Sequence, residues 1–182
     1  MKKILFAMLM VVALFADEQF VLHTVKNKDI HITVTDSGIK VKEYPHKVII
    51  LDFFGKNCPP CQMMIPRMIA TQKRFADKLQ IIGLHVQEPL DMYDLQRFEK
   101  IGINYPVVDY LTNNDNKSFV IYMAQLVSWD GSIAFMLIFD SDGNYVMSHL
   151  GLASEQELAD DVEMYYKGSE TNTSVEGSTT KE

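Results

Sequence analysis

The hydrophobic and polar positions of this chain fall into three regimes. From Gln19 to Tyr44 β-rich stretches are broken by turn-like polar residues. Phe20–Val25 and Ile30–Thr35 are β-rich and separated by the turn-like Lys26-Asn27-Lys28-Asp29, and Asp36-Ser37-Gly38 precedes Ile39–Lys42. This predicts a β-meander or hairpin that joins a sheet, since a lone hairpin is marginal in water. From Lys47 to Lys167 strands alternate with helices. Val48–Phe54 is a near-continuous apolar run, the signature of a strand buried on both faces. A helix is expected over Cys58–Lys78, a strand over Gln80–Val86, a helix over Leu90–Lys100, a strand over Ile103–Val108 and a helix over Asn116–Trp129. Two strands, Ala134–Phe139 and Tyr145–Leu150, flank the hairpin turn Ser141-Asp142-Gly143-Asn144. Ser154-Glu155-Gln156-Glu157 has the capping-box spacing that opens a last helix. The order predicts an α/β fold: a mixed central sheet flanked by helices, with an N-terminal β extension over residues 17–46. From Gly168 to Glu182 the chain is rich in Ser, Thr, Gly and Glu and is expected to be a disordered tail.

The first 16 residues read as an address. Met1-Lys2-Lys3 is a short basic start, Ile4–Phe15 is apolar, and Ala16 offers a small residue for cleavage. The run is short for a membrane span, so the expectation is a cleaved signal peptide and an exported, periplasmic protein with no membrane span afterwards. The net charge of −7 argues against a nucleic-acid partner. Two cysteines exclude a disulfide-rich framework and a four-cysteine zinc site. In an oxidising compartment a pair three residues apart acquires a redox meaning.

That pair is Cys58-Pro59-Pro60-Cys61, just after the central strand and at the start of a helix. Side chains at i and i+3 share a helix face, so the sulfurs can reach bonding distance. The positive end of the helix and its unpaired N–H groups favour a thiolate at Cys58, the expected attacking sulfur, and Cys61 would resolve the mixed disulfide. The rival readings are half of a zinc site, which finds no second half in the sequence, and an inert structural disulfide. Neither proline can donate an N–H to the Cys58 sulfur, which leaves chiefly that of Cys61. A moderately lowered Cys58 pKa and a reducing poise are therefore expected.

The stretch Leu51–Pro66 resembles the active-site region of thioredoxin. Lys47–Lys167 as a whole resembles the exported TlpA/ResA-like thiol-disulfide oxidoreductases. Asp52 lies six residues before the first cysteine, Pro66 five after the second, Asp140-Ser141-Asp142-Gly143 forms the hairpin turn, and Gly151 precedes the last helix. The resemblance implies a thioredoxin fold and a redox-active Cys58–Cys61 disulfide, with no cofactor or bound metal. It implies a buried Asp52 beneath Cys61 that takes the proton when the Cys61 thiol attacks. It also implies that exported protein thiols and disulfides are the substrates, that a membrane redox protein is the electron donor, and that cytochrome c maturation is a common setting. A dithiol oxidase or isomerase and a copper-delivery module are the alternatives. Two departures stand out. Asn57 occupies the position where thioredoxins carry Trp. Ile133-Ala134 falls where the family has the cis-proline loop that holds substrate, and a trans bond is expected there because a cis bond before a non-proline costs about 3–4 kcal/mol.

Other residues add less. His23 and His31 flank the first turn and read as surface strand residues, with a metal-binding pair across strands as the lesser alternative. His149 lies two before Gly151, at a possible rim of the site. Met63, Met64 and Met68 are expected to pack the helix on the sheet. Glu88, Asp91 and Asp94 read as a solvated helix start, and Trp129 as a neighbour of the Ile133-Ala134 loop. Glu170-Thr171-Asn172-Thr173-Ser174 fits an extended glycosylation sequon, which makes Asn172 a candidate acceptor.

Overall fold

The computed structural model describes residues 17–168. The apolar start, its cleavage point near Ala16, Asn172 and nearly all of the expected tail lie outside these residues.

The central sheet contains β4 (Val48–Phe54), β5 (Leu79–His85), β6 (Val107–Asp109), β7 (Phe135–Phe139) and β8 (Tyr145–Leu150) in the order β6-β5-β4-β7-β8. β4, β5 and β6 run parallel, and β7 and β8 are antiparallel to their neighbours. Every residue of β4 and β5 is buried, as continuous apolar runs require when both faces are covered. Three helices connect the strands, α1 (Pro59–Arg74), α2 (Met92–Ile101) and α3 (Asn114–Leu126), and α4 (Glu155–Tyr165) follows the last strand. Ser154 and Glu157 form the expected capping box at α4, and Asp91 and Asp94 form a second one at α2.

The two faces have different covers. Val48, Ile50 and Phe54 share a core with Cys61, Met64, Met68, Leu158 and Val162 of α1 and α4. Ile49, Leu51 and Phe53 share a core with Phe119 and Met123 of α3 and with the N-terminal strands. Those strands are β1 (Glu18–His23), β2 (Asp29–Thr35) and β3 (Gly38–Val41). They do not extend the central sheet. They form a separate antiparallel sheet, β1-β2-β3, whose Leu22, Ile30, Ile32 and Ile39 are buried in the second core. Backbone contact with the central sheet is confined to the corners, at Thr24–Val108 and Gly38–Asn144. At the second corner a Cβ on Gly38 or Gly143 would run into the opposing backbone, so both positions need glycine.

The expected strand over Ile103–Val108 shrinks to three residues. Gly102 ends α2 in the left-handed conformation, with Ile103 N–H bonded back to Phe98, and Pro106 has no N–H to offer a ladder. Among the described residues no helix is long and apolar enough to cross a membrane.

Candidate active site

Cys58 is the N-cap of α1, with Pro59 and Pro60 in the first turn. Proline is tolerated there because its missing N–H would have no intrahelical partner. The consequence is that the Cys58 sulfur receives one backbone N–H, from Cys61 at 3.2 Å. The two cysteines are joined by a disulfide, with 5.2 Å between their Cα atoms. Cys58 is 5% and Cys61 1% exposed. Pro66 lies inside α1, as its spacing from Cys61 predicts.

Asp52 breaks the apolar run of β4 on the face that α1 covers. It alternates with Ile50 and Phe54, which share the core of the two cysteines. It is 2% exposed, and its Oδ1 has no hydrogen-bond partner. Burial without a compensating cation raises its pKa to about 7. Across the sheet it is paired with Gly83 on one side and Met136 on the other, and Met136 is paired with His149. The missing side chain of Gly83 leaves room for the ring of Tyr105. The Asp52 charge adds to burial in raising the pKa of that phenol. Tyr105 also lines a cleft of about 720 Å³ between the N-terminal strands and α2, which neither cysteine borders.

The Ile133–Ala134 peptide is cis, not trans as expected. The intrinsic preference for trans is overridden here, because this loop is fixed from several sides. The Trp129 indole N–H donates to Ser132 O at 2.7 Å, Ser132 N–H donates to Asp130 at 2.9 Å, and Gly151 N–H donates to Ala134 O at 2.8 Å. Ala134 is buried in the same core as the cysteines, and Ile133 packs against it. Trp129 stacks on Phe135, so it does neighbour this loop.

Residues 23–155, more than half of the chain, match the AhpC/TSA family. The chain belongs to that family. The thiol-disulfide oxidoreductase ResA of Halalkalibacterium halodurans is 31% identical over 73 residues, 39% of this chain and 40% of that protein. The thioredoxin-like protein YneN of Bacillus subtilis is 30% identical over 95 residues, 44% of this chain and 56% of that protein. The chain thus spans about half the length of the curated relatives it matches. A thiol:disulfide interchange protein of Chlorobium tepidum, of the thioredoxin family, superposes with a TM-score of 0.59 at 23% identity, covering 82% of this chain and 94% of that one. The resemblance to ResA-like proteins and the thioredoxin fold both stand.

Around the disulfide this AhpC/TSA chain adds a collar that its sequence does not announce. Asn57 N–H donates to Gln87 at 2.9 Å, and the Asn57 amide reaches Glu88. Lys56 Nζ lies 2.6 Å from Asp94 and 3.0 Å from Pro89 O. Glu88 and Asp94 are therefore not simply a solvated helix start. Asp94 is buried, and Lys56 draws its pKa below the ordinary carboxylate range against the opposing effect of burial. His85 and Asp109, at the ends of β5 and β6, are fully buried beside the same loop. A lysine before a C-x-x-C and an acid at the following helix start are a legible pair only in hindsight, because 38 residues separate them.

The remaining candidates disperse. His23 pairs with Asp29 at 2.8 Å and lies 3.4 Å from Asp115, while His31 pairs with Glu43 at 2.7 Å, so the two histidines do not meet. The cation His23 would form is favoured by Asp29 in particular, which raises its pKa. Met64 and Met68 pack the core as expected, but Met63 is 54% exposed beside the cysteines. His149 faces α4 and carries a buried, unpartnered Nε2. Among the described residues no cluster of three or more His, Cys, Asp or Glu could hold a metal.

Proposed function

We propose that this chain is an exported thiol-disulfide oxidoreductase that reduces disulfides in exported proteins. The observation that carries the proposal is the disulfide at the mouth of α1 on the same sheet face as a buried, unpaired Asp52.

In the reduced form the Cys58 thiolate attacks a substrate disulfide. A Cys58–substrate S–S bond forms, the substrate S–S bond breaks, and the departing sulfur leaves as a thiolate that water protonates. The Cys61 thiol then passes its proton to the Asp52 carboxylate. Its sulfur attacks Cys58, closes the Cys58–Cys61 disulfide and expels the second substrate sulfur as a thiolate. The substrate gains two electrons and the protein loses two. A pKa of about 7 leaves Asp52 able both to accept and to release a proton near neutral pH. The Ile133-Ala134 loop, whose Ala134 shares the cysteines' core, is the proposed seat for the substrate backbone. A membrane redox protein returns the electrons, and apocytochrome c cysteines are a fitting substrate class. Cleavage near Ala16 releases the chain into the periplasm, where Asn172 is a glycosylation acceptor.

The test combines trapping and poise. Cys61→Ser should accumulate mixed disulfides between Cys58 and exported proteins, and Cys58→Ser should accumulate none. The reduction potential should lie near thioredoxin's, about −270 mV. A value near about −120 mV would assign the opposite direction, disulfide donation.

A further inference from the structure

The loop that carries Cys58 is short. Gly55, Lys56 and Asn57 are all that separates the end of β4 from the N-cap of α1. One side chain from the neighbouring strand reaches its backbone. His85, the last residue of β5, is fully buried, and its Nε2 lies 3.3 Å from the Lys56 N–H. A backbone N–H can only donate, so Nε2 is the bare, accepting nitrogen and the ring proton sits on Nδ1. Nδ1 in turn lies 3.5 Å from Oδ1 of Asp109, a charged neighbour rather than a hydrogen-bond partner. Asp109 is itself held, accepting the N–H of Leu90 at 2.8 Å and of Leu111 at 3.3 Å. Phe54, His85 and Asp109 form one row across β4, β5 and β6, and the Phe54 ring packs edge-on against the imidazole at 5.4 Å.

We propose that His85 is a positioning residue for Cys58: as the neutral ring with the proton on Nδ1 it holds the Lys56 backbone and so fixes the loop that presents the nucleophile, and protonation at Nε2 releases that loop. The inference rests on the redox reading of Cys58 above. Its logic is one of donors and acceptors. A proton on Nε2 would set two donors against each other, the ring N–H and the Lys56 N–H, and the bond between them would be lost. Four influences bear on the ring. Burial and the Lys56 ammonium favour the neutral form, whereas Asp109 from β6 and Asp94 from α2 favour the cation. Burial is the largest, and the pKa lies below that of a free histidine. At neutral pH the ring therefore accepts.

Gln and Asn separate positioning from space-filling. In His85→Gln the new amide oxygen reaches the place of Nε2 and can accept the Lys56 N–H, whereas the shorter amide of His85→Asn reaches only the place of Nδ1. Two quantities are to be measured on the full chain: hydrogen exchange of the Lys56 amide in the oxidised form, and the rate of Cys58 alkylation by iodoacetamide in the reduced form. In His85→Asn the Lys56 amide should exchange about fivefold faster, the loss of one ordinary hydrogen bond, and Cys58 alkylation at pH 7 should change with it. His85→Gln should restore both. Equal behaviour of the two variants, at matched denaturant midpoints, would overturn the proposal.

A measurement on the unaltered chain needs no variant to fold. The protection of Lys56 relative to that of Ile50 should fall between pH 7.5 and pH 4. A ratio that stays constant over this range would also overturn it. Iodoacetamide requires no protein substrate. If the variants order as expected but no protein disulfide is reduced, the functional proposal fails alone. If disulfides are reduced but the variants behave alike, this inference fails alone.

Discussion

Asp52 and Phe53 are neighbours on one strand and live on opposite sides of it. On the side of Asp52 the sheet is covered by α1 and α4, and the core there contains two cysteines, a buried carboxylate without a partner, and a tyrosine that feels its charge. On the side of Phe53 the sheet is covered by the N-terminal strands and α3, and its core is chiefly apolar, with the buried Asn116 amide bonded to the backbone of His23 and Asp109. Apolar burial makes one face, and an unpaired polar group marks the other. The unpaired group weakens the fold, since burial of a carboxylate without a partner is destabilising. It is tolerated because the opposite face is packed without such defects. Stability and chemistry are thus separated onto the two faces of one sheet.

The largest effect is expected from a cavity on the apolar face. Phe53 is fully buried and packs against the rings of Trp129 and Phe135 at 4.9 and 5.6 Å. Phe53→Ala should cost about 5 kcal/mol, from cavity and lost ring contacts together. Chemical denaturation measures the loss. The reduction potential of the Cys58–Cys61 pair should move by less than about 30 mV, the equivalent of 1.4 kcal/mol. A larger move would mean that the faces are not independent.

The second change acts on the site face and has the opposite sign. In the folded chain Asp52 titrates at about 7, against 3.8 for an ordinary aspartate. The folded state therefore holds a proton that the unfolded chain releases as pH rises above about 4. Stability falls as pH climbs through the window from about 4 to about 7 and is level beyond it. Asp52→Asn cannot titrate and escapes this loss. The variant should match the wild type near pH 3 and exceed it by about 4 kcal/mol above pH 7. Melting of the oxidised proteins across that range checks it. The same variant should slow closure of the Cys58–Cys61 disulfide by about 100-fold at pH 7, the usual size of a lost general base.

These particulars show what could be read from the chain before its structure. Val48–Phe54 was legible residue for residue, because a run buried on both faces has no alternation to misread. The C-x-x-C pair, the Asp52 interruption and the capping box at Ser154 were legible because each is a local pattern with a local cause. The β-rich N-terminal stretches correctly gave strands, but β-rich composition does not say which sheet they join. A second sheet and an extension of the first have the same period. The collar around the disulfide was illegible for another reason. Lys56 meets Asp94, Asn57 meets Gln87, and His85 meets Lys56 and Asp109, all across separations that only the sheet order closes. The cis bond at Ile133–Ala134 belongs to the same class, since Trp129, Asp130 and Gly151 fix its loop from outside.

The smallest change separates the Asp52 face from its site. Ser154 caps α4, which covers the Asp52 side of the sheet. Its side chain accepts the Glu157 N–H at 3.1 Å, and Glu157 returns the bond to the Ser154 N–H at 2.7 Å. Ser154→Ala removes one half of this box and should cost about 1 kcal/mol. If the chemistry resided in the face as a whole, loosening α4 would shift the pH dependence that Asp52 imposes. If it resides in Asp52 and the two cysteines, the variant should lose the same amount, about 1 kcal/mol, at pH 5 and at pH 8. Parallel stability curves for Ser154→Ala and the wild type, beside a diverging curve for Asp52→Asn, would locate the pH response in one carboxylate. Converging curves for Ser154→Ala would spread it over the helix that covers it.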